Sequence, residues 1–101
     1  MRTTHALVQL ALALMSAPQE RHWGYELSKT SGVRSGAMYP RLRQMLDEGW
    51  LVDGWETSEE AGGRPARRYY RLTEDGQREL GALLRRAESD SRFSGLDLRM
   101  A

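Results

Sequence analysis

Cysteine is absent from the 101 residues, which excludes disulfides and thiolate metal sites and suits a reducing compartment. Histidine is scarce: His5 and His22 lie far apart with no ligand pattern beside them, so neither a metal nor a cofactor is expected. Ser28, Ser31 and Ser35 have no base to partner them, and without a nucleophile, base or metal constellation an enzyme is not expected. Long apolar runs are missing too. The opening MRTTHALVQLALALMSAP imitates a signal peptide, but Gln9 interrupts it and the run falls short of the ~20 residues that span a bilayer. Thr3 or Thr4 can instead cap a helix whose apolar residues belong to a core. The expectation is a soluble, cytoplasmic chain with no membrane partner.

Such a length allows one small domain, burying roughly 60 to 65% of the surface its unfolded chain exposes and leaving little room for an internal catalytic cavity. Acids are thin in two stretches. Arg21, Lys29, Arg34, Arg41 and Arg43 meet only Glu26 between residues 21 and 43, and Arg64, Arg67, Arg68 and Arg71 meet none. Asp47, Glu48, Glu56, Glu59, Glu60 and the last third hold the counter-charge, so a net charge of +1 conceals local basic patches. Nearly all the cations are arginines, the type that forks onto phosphates and guanine edges. There is no internal repeat and no low-complexity segment.

What is present orders itself compactly. A first helix is expected from about Thr4 to Ala17, with Leu7, Leu10, Ala11 and Leu14 on one stripe and Val8, Leu12 and Met15 beside it. A helix apolar on nearly every side needs more than one neighbour, and a second subunit could supply part of that cover. Pro18 breaks the pattern, a second helix runs from about Trp23 to Ser31, and Gly32 ends it. Ser35 or Gly36 opens a third helix that stops at Gly49, giving two helices across a short turn, a helix-turn-helix candidate. WLVDGWE, residues 50–56, alternates like a strand, and RRYYRL, residues 67–72, reads as its partner. TSEEAGGRPA between them is too long for a tight turn and is expected to form a glycine-softened flap on a two-stranded hairpin. Thr73 caps a last helix, with Glu74 and Asp75 in the first turn where the helix dipole favours acids. Leu80, Leu83, Leu84 and Ala87 then form a stripe with no element left to bury it, so they are expected to dimerise the chain. From the tail only Phe93, Leu96, Leu98 and Met100 can pack.

On a wheel of ~100° per residue the third helix sets Met38, Leu42, Met45 and Leu46 on one face. Gly36, Ala37, Pro40, Arg43 and Gln44 face the other way, with Tyr39 and Arg41 on the flanks. Small residues leave that backbone thinly covered, open to close approach, and the unpaired N–H groups at a helix start suit phosphate oxygens. Pro40, so near the start, loses at most one bond. An ordinary helix whose Tyr-Pro merely sets its angle explains this stretch equally well by itself. The flap shifts the balance: Arg64 beside Pro65, followed by Arg67 and Arg68, suits an arm that lays guanidinium groups on phosphates or into a minor groove. A helix-turn-helix followed at once by a basic hairpin, with acids displaced elsewhere, describes a winged helix for DNA.

HWGYELSKTSG, SGAMYPRLRQMLDEGWL and GRPARRYYRLTEDG together resemble the PadR-type transcriptional regulators, over about residues 5 to 80 and with three motifs in order. The resemblance implies a mainly α fold with a small β-hairpin: a winged helix-turn-helix over 1–72 and a C-terminal dimerisation helix and tail over 73–101, in the short single-domain manner. It implies a homodimeric repressor on a palindromic double-stranded DNA operator. Carried over by position, Tyr39, Arg43 and Gln44 face DNA from the recognition helix and Arg64 and Arg67 from the wing. Lys29, Arg34, Ser35, Gly36, Ala37 and Pro40 complete the candidate DNA-binding set. Tyr25 is expected to pack rather than contact a phosphate. Ala37 stands where the family usually has Ser or Thr, so it can touch a thymine methyl but cannot hydrogen-bond a base. Trp23 is an extra residue between His22 and Gly24, which alters the start of the second helix. A small-molecule effector is a further candidate partner, for which Trp23, Trp50 and Trp55 could line a pocket, although Trp50 and Trp55 bracket a strand and are expected to pack. The rival reading is an architectural or mobile-element winged-helix factor, or a protein-interaction module.

Overall fold

The computed structural model describes residues 1–96 and 98. In chain order the elements are α1 (His5–Met15), β1 (His22–Trp23), α2 (Gly24–Ser31), α3 (Ser35–Asp47), β2 (Leu51–Trp55), α4 (Ser58–Ala61), β3 (Arg68–Leu72) and α5 (Glu74–Glu88), followed by a single 3-10 turn at Ser91–Phe93. Thr4 caps α1, its hydroxyl accepting the Leu7 N–H at 3.2 Å. Leu7, Val8, Leu10, Ala11, Ala13 and Leu14 are all buried because α2, α3 and α5 surround this helix. At ~1.5–3 kcal/mol for each buried leucine, α1 is the centre of the core.

Gly32 ends α2 in the left-handed conformation at φ 76°, as its position required. The third helix sends Met38, Leu42 and Met45 into the core and ends at Asp47, two residues before Gly49. Because α3 starts at Ser35, Pro40 sits inside it and the bond to the Gly36 carbonyl is missing. One bond is lost, and Gly36 is exposed, so water can serve that carbonyl.

The expected two-stranded hairpin is a three-stranded antiparallel sheet in the order β1-β3-β2. Leu51 pairs with Leu72, Asp53 with Tyr70 and Trp55 with Arg68 across the hairpin, while His22 and Trp23 pair with Tyr70 and Tyr69 on the other side of β3. His22 is held at this edge by its Nε2, 2.9 Å from the Ala17 carbonyl. The extra residue Trp23 is therefore strand, and α2 opens at Gly24. The flap is also more ordered than a glycine loop. Thr57 and Glu60 form a reciprocal capping box around the one-turn α4, the Thr57 hydroxyl accepting the Glu60 N–H at 3.1 Å and the Glu60 carboxylate accepting the Thr57 N–H at 2.9 Å.

Thr73 caps α5 as expected, accepting the Gly76 N–H at 2.9 Å, and donates its hydroxyl to the Gly49 carbonyl at 2.7 Å. The stripe Leu80, Leu83, Leu84 and Ala87 does have a place within the chain: all four are buried, chiefly against α1. The sequence pattern leaves both α1 and α5 short of cover and looks to a second subunit for it, whereas within the chain the two cover each other. Phe93 and Leu98 are buried beside this pair and Leu96 is half-buried. Met100, expected to pack, lies outside the described residues. The core thus runs through residues before and after position 72. Among the described residues no helix is long and apolar enough to cross a membrane.

Candidate nucleic-acid interface

Two elements present their outward faces side by side. Along α3, Ser35, Gly36, Ala37, Tyr39, Pro40, Arg43 and Gln44 are all exposed, and Lys29 and Arg34 flank them from α2 and the turn. Arg34 occupies the cap position without a side-chain cap, and the first hydrogen bonds of the helix run from the Ala37 and Met38 N–H groups to its carbonyl. The N–H groups of Ser35 and Gly36 therefore find no acceptor among the described residues, at the end of a helix where an anion is favoured. Arg43 lies 3.4 Å from Asp47, but both side chains are largely exposed and such a pair holds an arginine only weakly. Tyr39 leans back across α2, where a Cβ on Gly24 would meet its hydroxyl at 2.5 Å. The absence of a side chain at Gly24 is what lets the two helices bring that phenol so close.

The wing arginines are not the free arms that their composition suggests. Glu56, just past β2, is only 7% exposed, and its carboxylate gathers both of them. Arg64 forks onto it through Nη1 at 2.6 Å and Nη2 at 2.8 Å, while Arg67 donates its backbone N–H at 2.9 Å and its Nε at 3.3 Å. The Arg64 hydrogen bonds, followed by those of Arg67, hold the Glu56 carboxyl well below the usual carboxylate range against the opposing effect of burial. The Arg67 guanidinium then lies over the Trp23 ring at 4.4 Å, joining the wing to the edge strand. Arg21 repeats the arrangement next to it, 2.7 Å from Glu60 and 4.1 Å above the Tyr69 ring, which lies 6.0 Å from the Trp23 ring. Arg68 pairs with Asp53 and lies over Tyr70. Both Arg64 and Arg67 remain about half-exposed, so their outer edges are available to a phosphate.

Between α3, the start of α2 and the wing lies a cleft of about 300 Å³, lined by Trp23, Gly24, Tyr25, Glu26, Tyr39, Arg67, Arg68 and Tyr70. Tyr25 is 75% exposed at its rim, so it does not pack as expected. Trp50 is half-buried against the core as expected, whereas Trp55 at the end of β2 is 65% exposed and does not pack as expected. Sequence reasoning passed over Glu56 and Tyr70. Glu56 showed only as one acid among several, and nothing local signals that two arginines eight and eleven residues later return to it.

A helix-turn-helix followed by a β-hairpin that packs beside its second helix is a winged helix-turn-helix, and no metal-binding cluster accompanies it among the described residues. The chain belongs to the transcriptional regulator PadR-like family, whose model matches residues 12–82; its members are transcription regulators, not enzymes. Solved structures agree on the fold. The chain is 21% identical to a PadR family transcription regulator from hypervirulent Clostridium difficile R20291, covering 85% of this chain and 94% of that one with a TM-score of 0.65. A PadR-like transcription factor from Bacteroides fragilis matches at 24% identity over 79% of this chain and 81% of the other, TM-score 0.60. The protein smu.1704 from Streptococcus mutans UA159 matches at 19% identity over 93% and 89%, TM-score 0.67. No curated protein matches the chain in sequence.

Proposed function

We propose that this chain is a sequence-specific, double-stranded-DNA-binding regulator that represses transcription in the cytoplasm as a homodimer on a palindromic operator. The observation that carries the reading is the exposed face of α3, small at Gly36 and Ala37 where backbone must come close and polar at Arg43 and Gln44 where bases are read. Residues 1–72 supply the DNA-binding surface and 73–101 the helix and tail that serve dimerisation. Leu80, Leu83, Leu84 and Ala87 do so by holding α5 against α1, and the surface left for a twin is the half-buried Met15 of α1 with the outer side of α5 alongside.

Fluorescence anisotropy on duplexes from the chain's own promoter, against a mixed-sequence duplex, tests the reading. Binding should weaken steeply from low to moderate salt, with a log–log slope of several units, since it rests on arginine–phosphate contacts. Gln44→Ala should cost roughly 1–3 kcal/mol at one or two positions of each half-site and leave mixed-sequence binding unchanged. A flat salt response overturns DNA binding, and equal affinity for every duplex favours an architectural factor over a repressor.

A further inference from the structure

The cleft beside α3 contains a polar group that the fold leaves unused. Tyr70 is only 3% exposed, yet its hydroxyl has no hydrogen-bond partner among the described residues. A buried phenol ordinarily finds one. Its oxygen is not sealed from solvent, and the cleft is the space that Tyr70 lines. The start of α2 opens into the same space. Trp23, at the cap position, makes no side-chain cap, so no side chain covers the N–H groups at the start of this helix. Arg67 and Arg68 line the wing side, each already oriented by a carboxylate and an aromatic ring. Donors from β3 and the residue before it thus face the start of α2 across one half-open pocket, while its tyrosines and tryptophan offer apolar walls.

We infer that this cleft is the seat of one DNA backbone phosphodiester, taken by the Tyr70 hydroxyl, the uncapped start of α2 and the wing arginines. The inference rests on the DNA-binding reading above and names the phosphate that fixes how deeply α3 sits in the groove. Hydroxyl and backbone N–H donors suit a phosphate oxygen, and the aromatic walls suit the adjoining deoxyribose. Tyr39 belongs both to the cleft and to the exposed face of α3, so a phosphate seated here lies next to the bases read by that helix. Glu26 contributes the opposing charge in the lining, and Glu26→Gln should strengthen binding.

Tyr70→Phe is the decisive variant, because the hydroxyl it removes bonds to nothing in the described protein and the ring stays. Its melting temperature should equal or exceed that of the wild type. Affinity for a mixed-sequence duplex and for the promoter duplex should fall by the same factor, about three- to tenfold, as for the loss of one hydrogen bond. The salt slope should stay the same, since no cation is lost, which separates this effect from a shift in the arginines. Wild-type and Tyr70→Phe protein binding DNA equally overturns the seat while leaving DNA binding intact; a wild type that binds no duplex overturns the DNA-binding reading itself. Inorganic pyrophosphate provides the second arm. Should Tyr70→Phe lose pyrophosphate binding but keep its full affinity for duplex, the cleft serves a free anion and the inference fails.

Discussion

At Gly76 a missing methyl group lets two elements touch. A Cβ there would fall inside the Trp50 carbonyl, which belongs to the turn into β2, so the first turn of α5 rests directly on backbone. Flexible side chains can step aside, but this carbonyl is held: it accepts the Thr73 N–H at 3.0 Å. In most helices Gly→Ala is a gain of about 0.5–1 kcal/mol. Here Gly76→Ala is expected to reverse sign and cost about 3 kcal/mol, since overpacking against fixed backbone outweighs the propensity gain. Urea unfolding of the two proteins checks this, and a variant as stable as the wild type would show that the turn can move. The same scale explains why part of the interface is invisible in the sequence. Tyr70 looks like any strand aromatic there; only the fold leaves its hydroxyl without a partner among the described residues.

The wing is the element in which charge and order meet. Glu56 binds the exit of β2 to Arg64 and to both the backbone and side chain of Arg67, so two guanidinium groups and one N–H depend on one carboxylate. Its pKa is lower folded than unfolded, and its contribution is therefore complete above the ordinary carboxylate range and fades only as pH falls through the lowered value. The wild-type wing should accordingly stay ordered at about pH 4, where unpaired carboxylates begin to protonate. Glu56→Gln should release it at every pH, with the Arg67 amide exchanging roughly tenfold faster. Hydrogen exchange followed at pH 4 and pH 7 gives the comparison; equal exchange in both proteins would mean that the strands alone order the wing. Elements of regular period were legible beforehand: α1, α3 and α5 declare themselves by apolar spacing, with Thr4, Gly32 and Thr73 marking helix ends. The two-residue β1 is too short to carry a period, and its pairing with Tyr69 and Tyr70 is set by the fold. The Thr57 to Glu60 capping box was legible in principle but lay next to glycines that suggested a loose loop.

For the whole molecule, the open question in the sequence was what covers the last helix. The fold answers it internally, which changes how dimerisation is tested. Glutamates at Leu83 and Leu84 would be buried in the chain's own core and unfold it, so absence of a dimer in such a variant says nothing about an interface. Met15 is a better probe, half-buried at the end of α1 beside Gly81, Arg85 and Leu98. Met15→Glu should give a folded monomer with promoter affinity reduced at least about a hundredfold, because two recognition helices must reach half-sites ~34 Å apart together. Light scattering at micromolar concentration decides it: a wild-type monomer, or a variant that stays dimeric, removes this face from consideration. The molecule measures 47 × 25 × 22 Å, and its wing is stitched to the body through Arg21, Arg67 and Trp23. The conformational entropy of ordering that loop is thus surrendered when the chain folds, not when it meets DNA. Association should proceed without a slow loop-folding phase, and the lifetime of the complex should follow from how firmly the phosphates are held.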